Sequence, residues 1–170
     1  MTREEYFAGE ESMLPTNLID GELIVLPTPR MRHQDIVGRL FRALSAFEDT
    51  AQGKVVLSPM DVELGEDAVL QPDLAYIGPG SSTTYAEHVV GAPDLVVEVL
   101  SPSIRPGVHQ RKMEKYARYG VREAWVIDAR KPETVVLTND KGTWRESARV
   151  PFGAEIPSAI VNVGTGRLEP

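Results

Sequence analysis

The sequence predicts an α/β fold of mixed α+β character, in which a strand–helix–strand unit lies between two β-hairpins. Leu95 to Leu100 and Val121 to Ile127 are nearly continuous apolar, β-branched runs, and a basic helical segment separates them. Two buried strands joined by a helix form a parallel crossover unit. Asp20-Gly21 and Asn139-Asp140-Lys141-Gly142 each interrupt strand-like runs with hairpin-turn chemistry. Ile36, Val37, Leu40, Phe41, Leu44 and Phe47 repeat at helical spacing, which adds one long amphipathic helix from about Met31 to Phe47.

The remaining elements follow in order. Residues 3–12 read as a short acidic helix. Pro27-Thr28-Pro29 ends the first hairpin. His33 falls in the first turn of the long helix with no second histidine or cysteine nearby, and reads as a surface or hydrogen-bonded residue. Val55, Leu57, Met60, Val62 and Leu64 suggest one long strand with an irregularity at Pro59, and Val69 to Ile77 its antiparallel return. Pro72 lacks a ladder donor, so it marks an edge, a bulge or a strand start. Residues 78–92 read as a loop with a helical turn around Tyr85 to Val89. Pro106-Gly107 reads as a loop, followed by a helix from about Val108 to Tyr119 with Gly120 as its C-terminal cap. Its apolar stripe is Met113, Tyr116 and Ala117, while Arg111, Glu114, Lys115 and Arg118 form the solvated side. The tail from Phe152 to Val163 reads as short β-like pieces on a sheet edge.

At 170 residues, 42% hydrophobic and 25% charged, the chain is expected to form one domain over residues 1–170, with its core at about 15–165. A net charge of −7 argues against broad, nonspecific nucleic-acid affinity. A local basic strip remains, with Arg105, Arg111 and Arg118 as candidate nucleic-acid contacts. The absence of cysteine excludes disulfides and thiolate metal sites. The N-terminus does not resemble a signal peptide and no apolar run reaches membrane-spanning length, so the expected location is the cytoplasm.

Glu98 breaks the most apolar strand. Alternation puts Asp94, Val96, Glu98 and Leu100 on one face and Leu95, Val97 and Val99 on the other. A carboxylate between two apolar faces is costly unless a cation, a donor or water meets it. Lys112, one turn before Tyr116 at the edge of the helix stripe, supplies a cation. With Asp73 these residues compose a candidate site of two carboxylates and a lysine. Oxygen ligands without thiol or paired imidazole suit Mg²⁺ or Mn²⁺, which would polarise a phosphoryl oxygen and acidify a bound water. Asp94 lies about 13 Å from Glu98 at ~3.3 Å per residue, so it reads as a strand-start residue, and Asp128 as a loop cap.

The run Pro93-Asp94-Leu95-Val96-Val97-Glu98-Val99-Leu100-Ser101-Pro102-Ser103, with Lys112 to Tyr116, Gly120-Val121 and Trp125-Val126-Ile127-Asp128, resembles the Uma-type family of putative restriction endonucleases, within the PD-(D/E)XK nuclease-like superfamily. Asp20-Gly21-Glu22-Leu23, Pro27, His33 and Gln71-Pro72-Asp73 also fit, so the resemblance covers roughly residues 15–165. It implies a restriction-endonuclease-like mixed sheet flanked by helices, with Asp73 and Glu98 as metal ligands and Glu22 as a possible third acid. The superfamily lysine normally stands two residues after the acid, where this chain has Leu100. The family resembles one in which it has moved to the next helix, which selects Lys112, with Lys115 as the fallback. Val108 replaces an acidic residue frequent in relatives.

The reading that follows is a divalent-metal-dependent endonuclease acting on DNA, with a homodimer plausible because a duplex has two strands to cut. Two alternatives stay open. One is a catalytically silent domain of this fold used for dimerisation or protein binding, and the other is a metal-dependent hydrolase of nucleotides or another phosphoester.

Overall fold

The computed structural model describes residues 1–9, 14–101, 105–128, 130–131, 133–151 and 153–161. Its elements are α1 (Arg3–Ala8), β1 (Thr16–Ile19), β2 (Glu22–Val25), α2 (Met31–Ala51), β3 (Lys54–Leu57), β4 (Val62–Gly65), β5 (Ala68–Leu70), β6 (Leu74–Ile77), β7 (Thr84–Tyr85), β8 (Val89–Val90), β9 (Leu95–Leu100), α3 (Pro106–Arg118), β10 (Glu123–Asp128), β11 (Glu133–Asp140) and β12 (Thr143–Pro151). They form two mixed sheets, ordered β2-β1-β5-β4-β8-β7 and β12-β11-β10-β9-β6-β3. In the second sheet β9 and β10 are parallel neighbours, as the crossover unit requires, and the other pairs are antiparallel.

Both hairpins form where expected, the first turning at Asp20-Gly21 and the second at Lys141-Gly142, while Asn139 and Asp140 of the expected four-residue turn belong to β11. Asp20 and Gly21 have φ of 54° and 79°, and Lys141 and Gly142 have 52° and 88°, so each turn takes two consecutive left-handed residues between antiparallel strands. Gly120, at φ 95°, closes α3: Val121 N–H donates to Tyr116 O at 3.0 Å and Gly120 N–H to Ala117 O at 3.2 Å.

The expected single long strand over residues 55–64 is instead two strands in different sheets. The chain leaves β3 at the cis Ser58–Pro59 bond and enters β4. The return segment divides the same way, with β5 pairing β4 and β6 pairing β3. Pro72 lies in this second break and Asp73 immediately precedes β6, which agrees with a strand start. One bent hairpin thus contributes to both sheets, and the candidate site lies at the bend.

Other boundaries also move. The helical turn expected at Tyr85 to Val89 is absent, because β7 and β8 pair there as a small antiparallel hairpin. α3 begins at Pro106, two residues early, since proline tolerates the first helical position, where its missing N–H leaves no bond unmade. α2 continues to Ala51 and ends with Gln52 in the left-handed conformation. α1 stops at Ala8, and residues 10–13 of the helix expected over 3–12 lie outside the described residues. Residues 153–161 of the tail contain no strand; Ile156 and Val161 pack into the main core, while Phe152, Asn162 and Val163 lie outside the described residues.

The central sheet is covered on both faces. Ile36, Val37, Leu40 and Leu44 of α2 pack with Leu95, Val97 and Val99 of β9, and with Trp125 and Ile127 of β10. Met113 and Tyr116 of α3 pack with Val96 and Ala124 on the opposite face, joined by Ile19 and Leu70 of the other sheet. The alternation read along β9 is therefore realised, and Glu98 shares the α3 face with Val96. No described helix is long and apolar enough to cross a membrane.

Candidate active site

Glu98 is 4% exposed and Lys112 5%. Lys112 Nζ lies 2.7 Å from Glu98 Oε1 and 2.9 Å from Oε2, and donates to Gln71 O at 2.7 Å. One turn along α3, the Tyr116 hydroxyl donates to Glu98 Oε1 at 2.9 Å. The i, i+4 spacing on α3 thus delivers an ammonium and a phenol to one carboxylate.

Asp73 arrives from the neighbouring strand. β6 and β9 pair antiparallel through Leu74↔Val97, so continuing the register by one residue sets Asp73 opposite Glu98. Its Oδ2 accepts the Val99 N–H at 2.7 Å, and its Oδ1 lies 3.2 Å from His33 Nε2 in the first turn of α2. Elements from both sheets and both long helices therefore converge on a cleft of about 200 Å³ lined by His33, Gln71, Asp73, Glu98 and Lys112.

Burial dominates the electrostatics. It pushes the Glu98 carboxyl up to about 7, with Asp73 adding repulsion, while Lys112 and Tyr116 pull it down. The Tyr116 phenol is held well above its usual range by burial and by the Glu98 charge. For His33, burial favours the neutral ring but is outweighed by the Asp73 hydrogen bond and the charges of Asp73 and Glu98, so its pKa rises. His109 goes the other way: burial and the Lys112 charge lower it to about 4, so near neutral pH it adds no positive charge to α3.

The sequence-derived candidates separate clearly. Asp73, Glu98 and Lys112 meet in the cleft. Glu22 does not join them: its carboxylate takes Arg111 Nη1 at 2.7 Å and lines an adjoining cavity. Lys115 is not on the solvated side, being 5% exposed, with Nζ 2.5 Å from Asp20 Oδ1 and 2.6 Å from Asp67 Oδ2. These two acids, supplied by the hairpin turn and the β4–β5 turn, hold Lys115 away from Glu98. Arg111 is likewise tied down, by Glu22, Asp20 and the Ile19 carbonyl. Arg105 is exposed and lines the adjoining cavity; Arg118, at the other end of α3, is exposed with its guanidinium 6.0 Å from the Tyr119 ring. Asp94 caps the start of β9 by accepting the Gly78 N–H at 2.8 Å, and Asp128 caps its loop by accepting the Arg130 N–H at 2.9 Å.

Three contributors escaped the reading of the residues themselves. His33 is hydrogen-bonded as expected, but its partner is a candidate metal ligand. Gln71 acts through its backbone carbonyl, which leaves no side-chain signature. Tyr116 was assigned to the apolar stripe, although its spacing from Lys112 carried the signal.

The donor set fits a hard cation. Asp73 and Glu98 present four carboxylate oxygens and no sulfur. Among the described residues no group of three or more His, Cys, Asp or Glu forms a cage. Mg²⁺ is commonly held by one or two carboxylates, with water or phosphate oxygens completing the shell.

The solved structure of a putative nuclease belonging to DUF820 from Anabaena variabilis superposes with a TM-score of 0.77 at 18% identity, covering 93% of this chain and 89% of that one. This likeness establishes the fold. No curated protein matches the chain. Residues 3–165 match the Uma2 family, described as putative restriction endonuclease, a span that contains the cleft and every element around it. The chain belongs to the Uma2 family.

Proposed function

We propose that the protein is a divalent-metal-dependent endonuclease that hydrolyses phosphodiester bonds in DNA, with Asp73 and Glu98 as metal ligands and Lys112 as the lysine serving water or phosphate. The observation that carries this reading is the recessed cluster itself: two carboxylates on paired strands with a buried ammonium spanning both oxygens of one of them. Such a cluster is expensive to bury, and a purely structural role gives Glu98 no reason to stand in an otherwise apolar strand. Membership of a family described as restriction endonuclease supports the same chemistry.

Bound Mg²⁺ or Mn²⁺ would supply Lewis acidity and an acidified water. The residues of the chain do the rest. His33 Nε2 and the Val99 N–H fix both oxygens of Asp73, so the carboxylate meets a ligand in one orientation. Tyr116 holds Glu98 from the core side. Once the carboxylate charge is compensated, Lys112 can turn one N–H toward the attacking water or a non-bridging phosphate oxygen, where negative charge grows as a new P–O bond forms and a bridging P–O bond breaks. The Gln71 carbonyl keeps the ammonium anchored meanwhile.

The test is cleavage of supercoiled plasmid with Mg²⁺, Mn²⁺ or EDTA. Metal-dependent nicking by the wild type and its loss in Asp73→Asn are expected. Metal-independent cleavage, or full activity in Asp73→Asn, would sink the assignment. No cleavage and no metal binding would favour the silent dimerisation or protein-binding domain. Cutting both strands of a duplex would need a homodimer, and sedimentation decides whether one forms.

A further inference from the structure

Resting on the nuclease reading, we propose that the substrate strand is bound unpaired: single-stranded DNA enters the Asp73–Glu98 cleft and continues into the adjoining groove between β2 and α3.

The reacting groups are too recessed for the outside of a duplex. Glu98 and Lys112 are 4% and 5% exposed at the floor of a cleft of about 200 Å³. Typical ligand clefts hold roughly 300–1,000 Å³, so this one admits a phosphodiester and part of its nucleoside and little more. Its lining includes Leu14, Pro15, Pro27 and Pro29. These side chains give no donors to a flanking phosphate ladder, but they offer apolar surface to the face of an unstacked base.

The route onward is defined. A second cavity of about 760 Å³ shares Leu26 and Pro27 with the first and is also lined by Arg105 and Arg111. Arg111 is already held by Glu22 and Asp20. Arg105 has no ion-pair partner among the described residues and is exposed. Of the two arginines lining the second cavity, Arg105 is the one left open to a phosphate beyond the reacting one. A duplex carries one negative charge per about 1.7 Å, and duplex binders commonly neutralise several phosphates. One open arginine on a chain of net charge −7 matches a short single strand instead.

The experiment measures fluorescence anisotropy of the intact protein with a labelled 12-nucleotide DNA, single-stranded or as a blunt duplex, in EDTA so that no probe is consumed. Cleavage of both probes is then followed in Mg²⁺. The single strand should bind at least ~10-fold tighter than the duplex, with a log–log salt slope of about −0.7 to −1.4 for one or two phosphates. Arg105→Glu should weaken single-strand binding by ~10-fold at an unchanged melting temperature, because the side chain is exposed and unpaired. Equal or tighter duplex binding, no binding of either probe, or indifference to Arg105→Glu overturns the inference. Asp73-dependent cutting of the duplex with the single strand spared also overturns it, while leaving the nuclease reading intact. Absence of any Asp73-dependent cleavage of probes and plasmid fails the nuclease reading, and this inference with it.

Discussion

Lys112 Nζ and Glu98 Oε1 lie 2.7 Å apart, with both side chains nearly sealed from solvent. A buried ion pair gives little net stability, but removing one partner leaves the other charge uncompensated. The lysine therefore serves the fold in the metal-free protein and, under the proposed mechanism, the reaction in the metal-bound one.

Lys112→Ala should lower turnover at least ~100-fold, as loss of a transition-state donor does. It should also destabilise the metal-free protein by about 3 kcal/mol. Metal affinity measured at pH 8 should stay near the wild-type value, because the lysine is not a ligand. Lys115→Ala should leave turnover within ~3-fold but cost about 2 kcal/mol, since its two carboxylates are partly solvated and can rehydrate. Single-turnover kinetics with urea unfolding separate the two lysines. A reversal of their kinetic effects would make Lys115 the functional one.

Asp73→Asn and Glu98→Gln should each reduce metal-dependent cleavage by at least ~100-fold. The same variants should abolish the thermal response to metal. At 100 times its dissociation constant an ion stabilises the native state by about 2.7 kcal/mol, worth roughly 5–10 °C for a chain of this size. Scanning calorimetry with and without Mg²⁺ reads this directly, and an unchanged wild-type melting temperature together with a flat calorimetric titration would remove the metal site.

His33→Ala should weaken Mg²⁺ binding by about 10-fold, the usual cost of losing a group that orients a ligand. His33→Gln, which can restore a donor toward Asp73 Oδ1, should recover part of it. Isothermal titration on folded variants makes the comparison. Equal affinity in all three proteins would mean the Val99 N–H suffices to fix Asp73.

Burial raises the Glu98 carboxyl from 4.5 to about 7, so the folded state retains a proton that the unfolded chain has already released. The contribution of Glu98 to stability is therefore complete below about pH 4.5. It is lost as pH climbs to about 7, and is constant above that. Metal-free wild type should lose stability relative to Glu98→Gln across this window in denaturant titrations. Mg²⁺ affinity should run oppositely, rising ~10-fold per pH unit up to about 7 and then levelling, because the ligand must be ionised. A pH-independent affinity between pH 5 and 8 would show that Glu98 is not a ligand.

Much of this protein was legible in order along the chain. Alternation in β9 puts Glu98 on one face with Val96, and the i, i+4 relation puts Lys112 one turn before Tyr116 at the edge of the apolar stripe of α3, the side that the structure turns toward Glu98. Asp20-Gly21 and Lys141-Gly142 specified two hairpins because their backbone conformations suit few other residues. These features depend on neighbours within a few positions, which a sequence displays.

Tertiary structure alone decided the rest. Pro59 and Pro72 announced breaks, but the partners taken up beyond each break, and hence the division into two sheets, follow from which long-range pairings bury the most apolar surface. Lys112 and Lys115 carry the same side chain on the same helix. One reaches Glu98 and the other is captured by Asp67, 48 residues away, so their roles are set by partners that no local pattern encodes. His33 became part of the site only because the start of α2 lies against the start of β6, where Asp73 stands. Local chemistry determines the shape and polarity of each element. The convergence of charges is fixed by packing, since a buried ion is tolerated only where distant segments bring its counterpart.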